Sequence, residues 1–477
     1  MEQVAETSRS KKFIKDLGIY AIGNLGSKLI TFLLVPFYTF FITDPAAFGY
    51  YDICVNTVFC LIPIVGMQLS EGGFRFLIDT KDKAVQRSVI TYVSTVLLRN
   101  ALLVTVVGVM AGLFVDIKYL YLSIAFGLAQ TLYDVELQLV RGLGRTKDFV
   151  SAGILNTLLI ALTSVLFVAV MDMGIEGVFL SNVMARFLVL AAIELRMGIM
   201  RKYFRRSAFS RSLNREIRRY SLPLIPAALC WWFISSNNYY FLQYFRGLAD
   251  TGYYGFVGRF TGILYILALI FYQTWQQNAI EQYNSPDRDR FFTKVFNNYF
   301  YLLTGLVVLF AFGLRLNYFW VIGAEFQSTS KYIFLNAIYV MVFALSSFFE
   351  LGYQCSKRTR YILPSLVIVA VVNLTCNYFL VQLWGIYGII VSNILTWGAL
   401  LTYRAFDTRK FMTIRFNRIN FMAIAILVIF GVLYYVWSGP VADIVCLSAF
   451  LVLYIALAPD EFRNIILQKL PFKRGNT

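Results

Sequence analysis

The chain has 477 residues, of which 59% are hydrophobic and 14% charged, and its mean hydropathy is +0.66. That proportion of apolar side chains cannot be hidden inside a soluble globule, so the sequence belongs in a bilayer. Its 43 Lys and Arg against 26 Asp and Glu give a formal charge of +17, and the complete lack of histidine excludes His-based metal sites, proton relays and acid/base chemistry.

In chain order, a polar tail at 1–16 precedes an apolar run at 17–42 that carries no small-residue cleavage pattern and reads as an uncleaved span. Apolar runs of about 20 residues, enough to cross about 30 Å of hydrocarbon as a helix, follow at 48–72, 88–114, 119–140, 149–171 and 174–198. A basic stretch at 199–219 interrupts them. Further runs occupy 220–245, 252–280, 292–314, 328–354, 361–382 and 385–403, then a last pair at 419–437 and 441–458, before a basic tail at 459–477. The runs are continuous rather than alternating, so they are helices and not barrel strands. The expected fold is an all-α integral membrane protein of about 14 transmembrane helices.

The sequence repeats itself. "MGIEGVFLSNVMA" (Met173 to Ala185) and "WGIYGIIVSNILT" (Trp384 to Thr396) share G-I-x-G-x-x-x-S-N, and "AFGYYD" (Ala47 to Asp52) matches "DTGYYG" (Asp250 to Gly255). Six spans separate the copies, an even number, so the halves have the same orientation and relate by a pseudo-two-fold axis along the membrane normal. The expected organisation is an N-lobe at 17–198, a linker at 199–219, a C-lobe at 220–403 and two extra spans at 419–458. The glycines Gly174, Gly177, Gly385 and Gly388 suit tight turns and close helix approach, and the Ser-Asn pairs suit packing between helices. Six cysteines without paired spacing suggest neither a disulfide framework nor a zinc site.

Lys and Arg near span ends are retained on the cytoplasmic side. With the N-terminus inside, the outer loops hold Lys118, Arg246, Arg315 and Lys331, and nearly all other loop cations fall inside, so both termini are expected in the cytoplasm and the basic balance reports topology rather than nucleic-acid binding. Lys28, Arg99, Arg186 and Arg259 lie within spans. Charges there are costly and usually face a bundle interior or water, so these four, with Asn24 and Asn237, are the candidate lining of a substrate cavity suited to phosphate or diphosphate. Glu71, Arg75, Asp134, Glu136, Glu194 and Glu350 lie toward the inner face and read as a gate, as interface pairs such as Glu71 with Arg75, or as coupling groups; Asp134 and Glu136, two residues apart, must point to different helix faces. No phosphate-loop motif and no long outer loop occur, so no ATPase or external catalytic domain is expected, the chain is not expected to be an enzyme, and no cofactor is implied.

Residues 20–52, "YAIGNLGSKLITFLLVPFYTFFITDPAAFGYYD", and 68–79, "QLSEGGFRFLID", resemble the opening of bacterial polysaccharide-biosynthesis flippases. These are the O-antigen and capsule repeat-unit translocases of the multidrug/oligosaccharidyl-lipid/polysaccharide exporter superfamily. The resemblance implies an inner-membrane protein that moves undecaprenyl-diphosphate-linked oligosaccharide to the outer leaflet by alternating access, beside polymerase and ligase machinery. It places Asn24, Lys28, Glu71 and Arg75 at characteristic polar positions, and it would make Asp134, Glu136 or Glu350 the carriers in any coupling to H+ or Na+. The rival readings are a lipid II flippase, a multidrug/toxin cation antiporter and a membrane-embedded polysaccharide-assembly enzyme.

Overall fold

The computed structural model describes residues 33–78, 80–208, 210–356 and 362–458. Among them every regular element is helical. The helices, numbered in chain order, are α1 (33–41), α2 (Pro45–Val65), α3 (Leu69–Ile78), α4 (Lys83–Phe114), α5 (Leu120–Gly142), α6 (Thr146–Ser164), α7 (Gly174–Met197), α8 (Ile199–Tyr203) and α9 (Arg211–Ser221), then α10 (Leu224–Arg246), α11 (Leu248–Gln282), α12 (Arg288–Val321), α13 (Ser330–Cys355), α14 (Ile362–Trp384), α15 (Ile386–Asp407), α16 (Arg418–Val436) and α17 (Pro440–Ala456). Each expected span has a helical counterpart, the first only in its described part. Ten of the described helical stretches are long and apolar enough to cross a membrane, which makes this a multi-pass membrane protein.

Local chemistry sets the helix ends. The "TDPAAFG" break works through Asp44, whose carboxylate accepts the Ala46 amide at 2.9 Å with Pro45 in the first turn; Asp82 caps α4 in the same way through Ala84 at 2.8 Å. The apolar run expected at 48–72 is two helices. Met67 and Gln68 adopt left-handed φ values of 49° and 51°, and the chain turns there between α2 and α3, a break that hydropathy cannot register because its residues are apolar or neutral. Gly174 and Gly385, at φ of 55° and 56°, make the equivalent turns into α7 and α15.

The described residues divide into two compact units, 33–255 and 256–458. In the first, Leu69, Val89, Val93, Leu139, Val189 and Ile217 form a core that joins α3, α4, α5, α7 and α9. The repeated "GYYD" and "GYYG" segments meet within this unit. A Cβ on Gly49 would run into the Leu248 carbonyl, and one on Gly252 into the Pro45 carbonyl, so two equivalent helix starts cross reciprocally at their glycines. Nearby, the Asp52 carboxylate packs on Gly255, and α2 is sewn to α10 by Trp232 Nε1 donating to the Asn56 carbonyl (2.7 Å), Ser236 Oγ donating to Asn56 Oδ1 (2.9 Å), and a Thr57–Tyr240 hydroxyl pair (2.9 Å).

In the second unit the core is aromatic, with Trp275 stacked on Phe348 (centroids 4.8 Å apart) and Phe296 against Phe349. Helices α16 and α17 pack on α12. Arg315, expected in an outer loop, is instead buried on α12. It holds both carboxylate oxygens of Asp443 through Nε (2.9 and 3.0 Å), bonds Asp443 again through Nη2, donates to the Tyr434 carbonyl, and lies over the Tyr434 ring at 3.9 Å. The partner comes from α17, 128 residues away, which is why loop counting misplaced the charge.

Candidate functional site

The polar interior of the first unit is built on α5 and α7. Arg186, on α7, is 8% exposed. Its Nε donates to Gln130 Oε1 at 2.7 Å, and its Nη1 donates to the Asn182 carbonyl (2.7 Å) and to Asn182 Oδ1 (2.9 Å). Gln130 in turn donates from Nε2 to Asp134 Oδ1 at 2.8 Å. The guanidinium also lies 5.0 Å from the Phe126 ring centroid.

Three features follow from that arrangement. The spacings Gln130 to Asp134 and Asn182 to Arg186 are both i,i+4, so each helix presents its pair on one face. The arginine is fixed by neutral amides, and no described carboxylate ion-pairs with it directly. Nη2 makes no hydrogen bond among the described residues, which leaves one edge of the fork able to receive an anion.

The sequence-derived candidates distribute unevenly around this site. Arg186, expected in the cavity, and Asp134, expected at the gate, join one hydrogen-bonded chain through Gln130, which the sequence reading overlooked although its i,i+4 spacing from Asp134 was visible. Glu136 points elsewhere, buried at 7% exposure. Arg99 is exposed on α4 and donates to the neighbouring Asn100 side chain (3.0 and 3.2 Å), whose amide donates to the Val65 carbonyl (2.8 Å). Asn237 is buried and bonds back to the Phe233 carbonyl of its own helix at 2.9 Å. Glu71 is exposed. Asn24 and Lys28 lie outside the described residues.

Helices α2, α4 and α5 line an apolar trough of about 580 Å³, with residues such as Ile53, Leu61, Leu103, Val107 and Ile124. Arg99 stands one turn before Leu103 and two before Val107 on the same stripe of α4.

The second unit has its own charged cluster. Glu350 Oε2 pairs with Arg404 Nη2 at 2.9 Å. Gln354 donates from Nε2 to Glu350 (3.4 Å) and to the Tyr272 hydroxyl (2.9 Å), and it accepts from Gln276 at 2.6 Å. Arg404 is 1% exposed. It lies just past the run that ends at 403, so the sequence offered it only as a loop cation. Arg259 is half-buried on α11. The repeated Ser-Asn pairs differ: Ser181 and Asn182 donate to carbonyls of their own helix, Gly177 (2.6 Å) and Val178 (2.9 Å), whereas Asn393 accepts from Asn373 of the neighbouring α14 (3.3 Å).

The model of the family described as "Polysaccharide biosynthesis protein" matches residues 13–276, more than half of the chain. The chain belongs to the polysaccharide biosynthesis protein family. Solved structures agree on the fold of this family member. The lipid II flippase MurJ in an inward closed conformation superposes with a TM-score of 0.72 at 14% identity, over 94% of this chain and 99% of MurJ. An inward-facing multidrug resistance MATE transporter of the MOP superfamily gives 0.62 at 12% identity, over 82% and 95%. A MOP superfamily transporter from Pyrococcus furiosus gives 0.51 at 14% identity, over 84% and 96%. A search of curated proteins returns no match. The fold is therefore the one seen in the lipid II flippase MurJ and in MATE transporters.

Proposed function

We propose that the protein is a flippase for a lipid-linked oligosaccharide, an isoprenoid diphosphate carrying a polysaccharide repeat unit, moved from the cytoplasmic to the outer leaflet of the bacterial inner membrane. The carrying observation is Arg186, a buried guanidinium inside a membrane bundle, held by amides rather than by a carboxylate and with one nitrogen uncommitted. A buried cation that no carboxylate contacts directly, its nearest described carboxylate Asp134 standing behind the Gln130 amide, attracts an anion. A multidrug cation carrier would need the opposite sign at such a place.

In this reading Arg186 receives a phosphate oxygen, Gln130 and Asn182 keep the fork in register, and Asp134, one hydrogen bond behind Gln130, limits how tightly the anion is held so that it can leave again. The apolar trough on α2, α4 and α5 suits the long hydrocarbon chain of such a substrate. Glu136, Asp134 and Glu350 are the candidate proton or sodium carriers, both termini are cytoplasmic, and polymerase or ligase machinery receives the product.

Complementation tests the assignment. The chain is expressed in cells lacking their own repeat-unit flippase, and lipid-linked glycan in the outer leaflet is measured. Rescue with a matching glycan supports the proposal. Failure across several repeat units together with rescue of lipid II flipping would move the substrate to peptidoglycan precursor.

A further inference from the structure

A second polar site lies in the first unit, where the start of α4 meets the basic linker. A basin of about 790 Å³ is lined there by Arg87 and Ser88 of α4, Arg205 after α8, Ser210, and Ser212 and Glu216 of α9. We propose that it binds a phosphate group.

Thr91, one turn beyond Ser88, builds the site. Its hydroxyl accepts the Arg205 amide at 3.0 Å and reaches the Arg205 carbonyl at 3.3 Å, which ties the chain after α8 onto α4 and sets Arg205 beside Arg87. The Arg205 guanidinium is oriented by neutral groups: Nη1 donates to the carbonyls of Arg201 (3.2 Å) and Phe204 (3.1 Å). Its Nε and Nη2 have no acceptor among the described residues. Arg87 likewise has no hydrogen bond or ion pair among them.

Ser88 points to a ligand independently of those charges. It is 4% exposed, lines the basin, and its hydroxyl has no hydrogen-bond partner. A serine in a helix ordinarily satisfies itself on the preceding turn, and a buried hydroxyl left unmade is costly. The site therefore lacks an acceptor that the protein does not supply. Ser210 precedes α9 without a side-chain cap bond, so the amides of the first turn of this eleven-residue helix also lack a side-chain acceptor.

The donor set selects the ligand. Two guanidinium forks, a hydroxyl and helix-start amides suit a tetrahedral oxyanion with several acceptor oxygens; a carboxylate would use one fork, and an apolar ligand none. Glu216 is the one carboxylate in the lining and opposes the anion, leaving one net positive charge among Arg87, Arg205 and Glu216. The phosphate could be carried by an anionic lipid headgroup or by a soluble compound, and the two are separable by experiment.

The full chain is purified in detergent, and its thermal midpoint is followed while inorganic phosphate replaces chloride at constant ionic strength; in parallel, nanodiscs of phosphatidylglycerol are compared with phosphatidylcholine. A ligand bound only by the folded state raises the midpoint with concentration. A rise with inorganic phosphate identifies a free anion as sufficient, and a rise confined to phosphatidylglycerol identifies a headgroup; either supports the site. Arg205→Gln and Ser88→Ala should each demand about tenfold more ligand for the same shift. Without ligand, Ser88→Ala should melt at or above the wild-type temperature, because it removes an unsatisfied hydroxyl. The proposal is overturned if the wild type responds in neither arm, or if Arg205→Gln, a change at an exposed side chain, responds as the wild type does.

Discussion

Replacing Arg186 separates a structural arginine from one that receives substrate. Arg186→Met deletes the charge and leaves Gln130 Oε1 and Asn182 Oδ1 without their donor. Each orphaned acceptor costs about 1–3 kcal/mol, while removing a guanidinium that no carboxylate contacts directly returns a desolvation cost of similar size, less the lost attraction to Asp134 behind Gln130. The terms oppose one another, so folding stability should stay within about 2 kcal/mol of wild type. Transport has no such compensation. Losing a forked, charge-assisted contact to phosphate removes about 3 kcal/mol or more of binding, a fall of at least about 100-fold in flux at limiting substrate. Arg186→Lys keeps the charge without the fork and should lose only about tenfold. Thermal midpoints of the purified variants are read beside outer-leaflet glycan in cells. Wild-type transport by Arg186→Met would refute the reasoning, as would a transport loss matched by an equal loss of folded protein.

Three further outcomes are expected. Arg315→Met or Asp443→Leu alone should each destabilise the second unit by about 3–5 kcal/mol, because each leaves a buried charge uncompensated, whereas the double variant should melt near wild type; additive losses in the double variant would contradict this. Gly49→Val and Gly252→Val should each abolish correctly folded protein in a size-exclusion assay, since the added side chain meets a backbone carbonyl that cannot move aside; normal elution of either would remove the reciprocal crossing as a constraint. In a cysteine-free background, Gly439→Cys should label with an impermeant reagent from outside intact cells and Ala208→Cys should not, and the reverse pattern would invert the proposed topology.

The sequence by itself determined the type of the elements and where most of the long helices begin. Hydropathy, caps and glycine turns are local properties, written within a few residues of where they act: Asp44 and Pro45 start α2, Gly174 starts α7 and Gly385 starts α15. The repeat was legible too, because two copies of one segment need only be read side by side. What the sequence left open was which charges are solvated and which are held. Arg186 meets Gln130 across 56 residues, Arg404 lies 54 residues from Glu350 and Arg315 lies 128 from Asp443. The cost of a charge depends on its surroundings rather than on its neighbours in the chain, and those surroundings are assembled only when α5 meets α7, α13 meets α15, and α12 meets α17. The tertiary structure alone therefore decided that Arg315 is an internal tie and Arg404 a buried partner, and that Arg186 is held by Gln130 and Asn182.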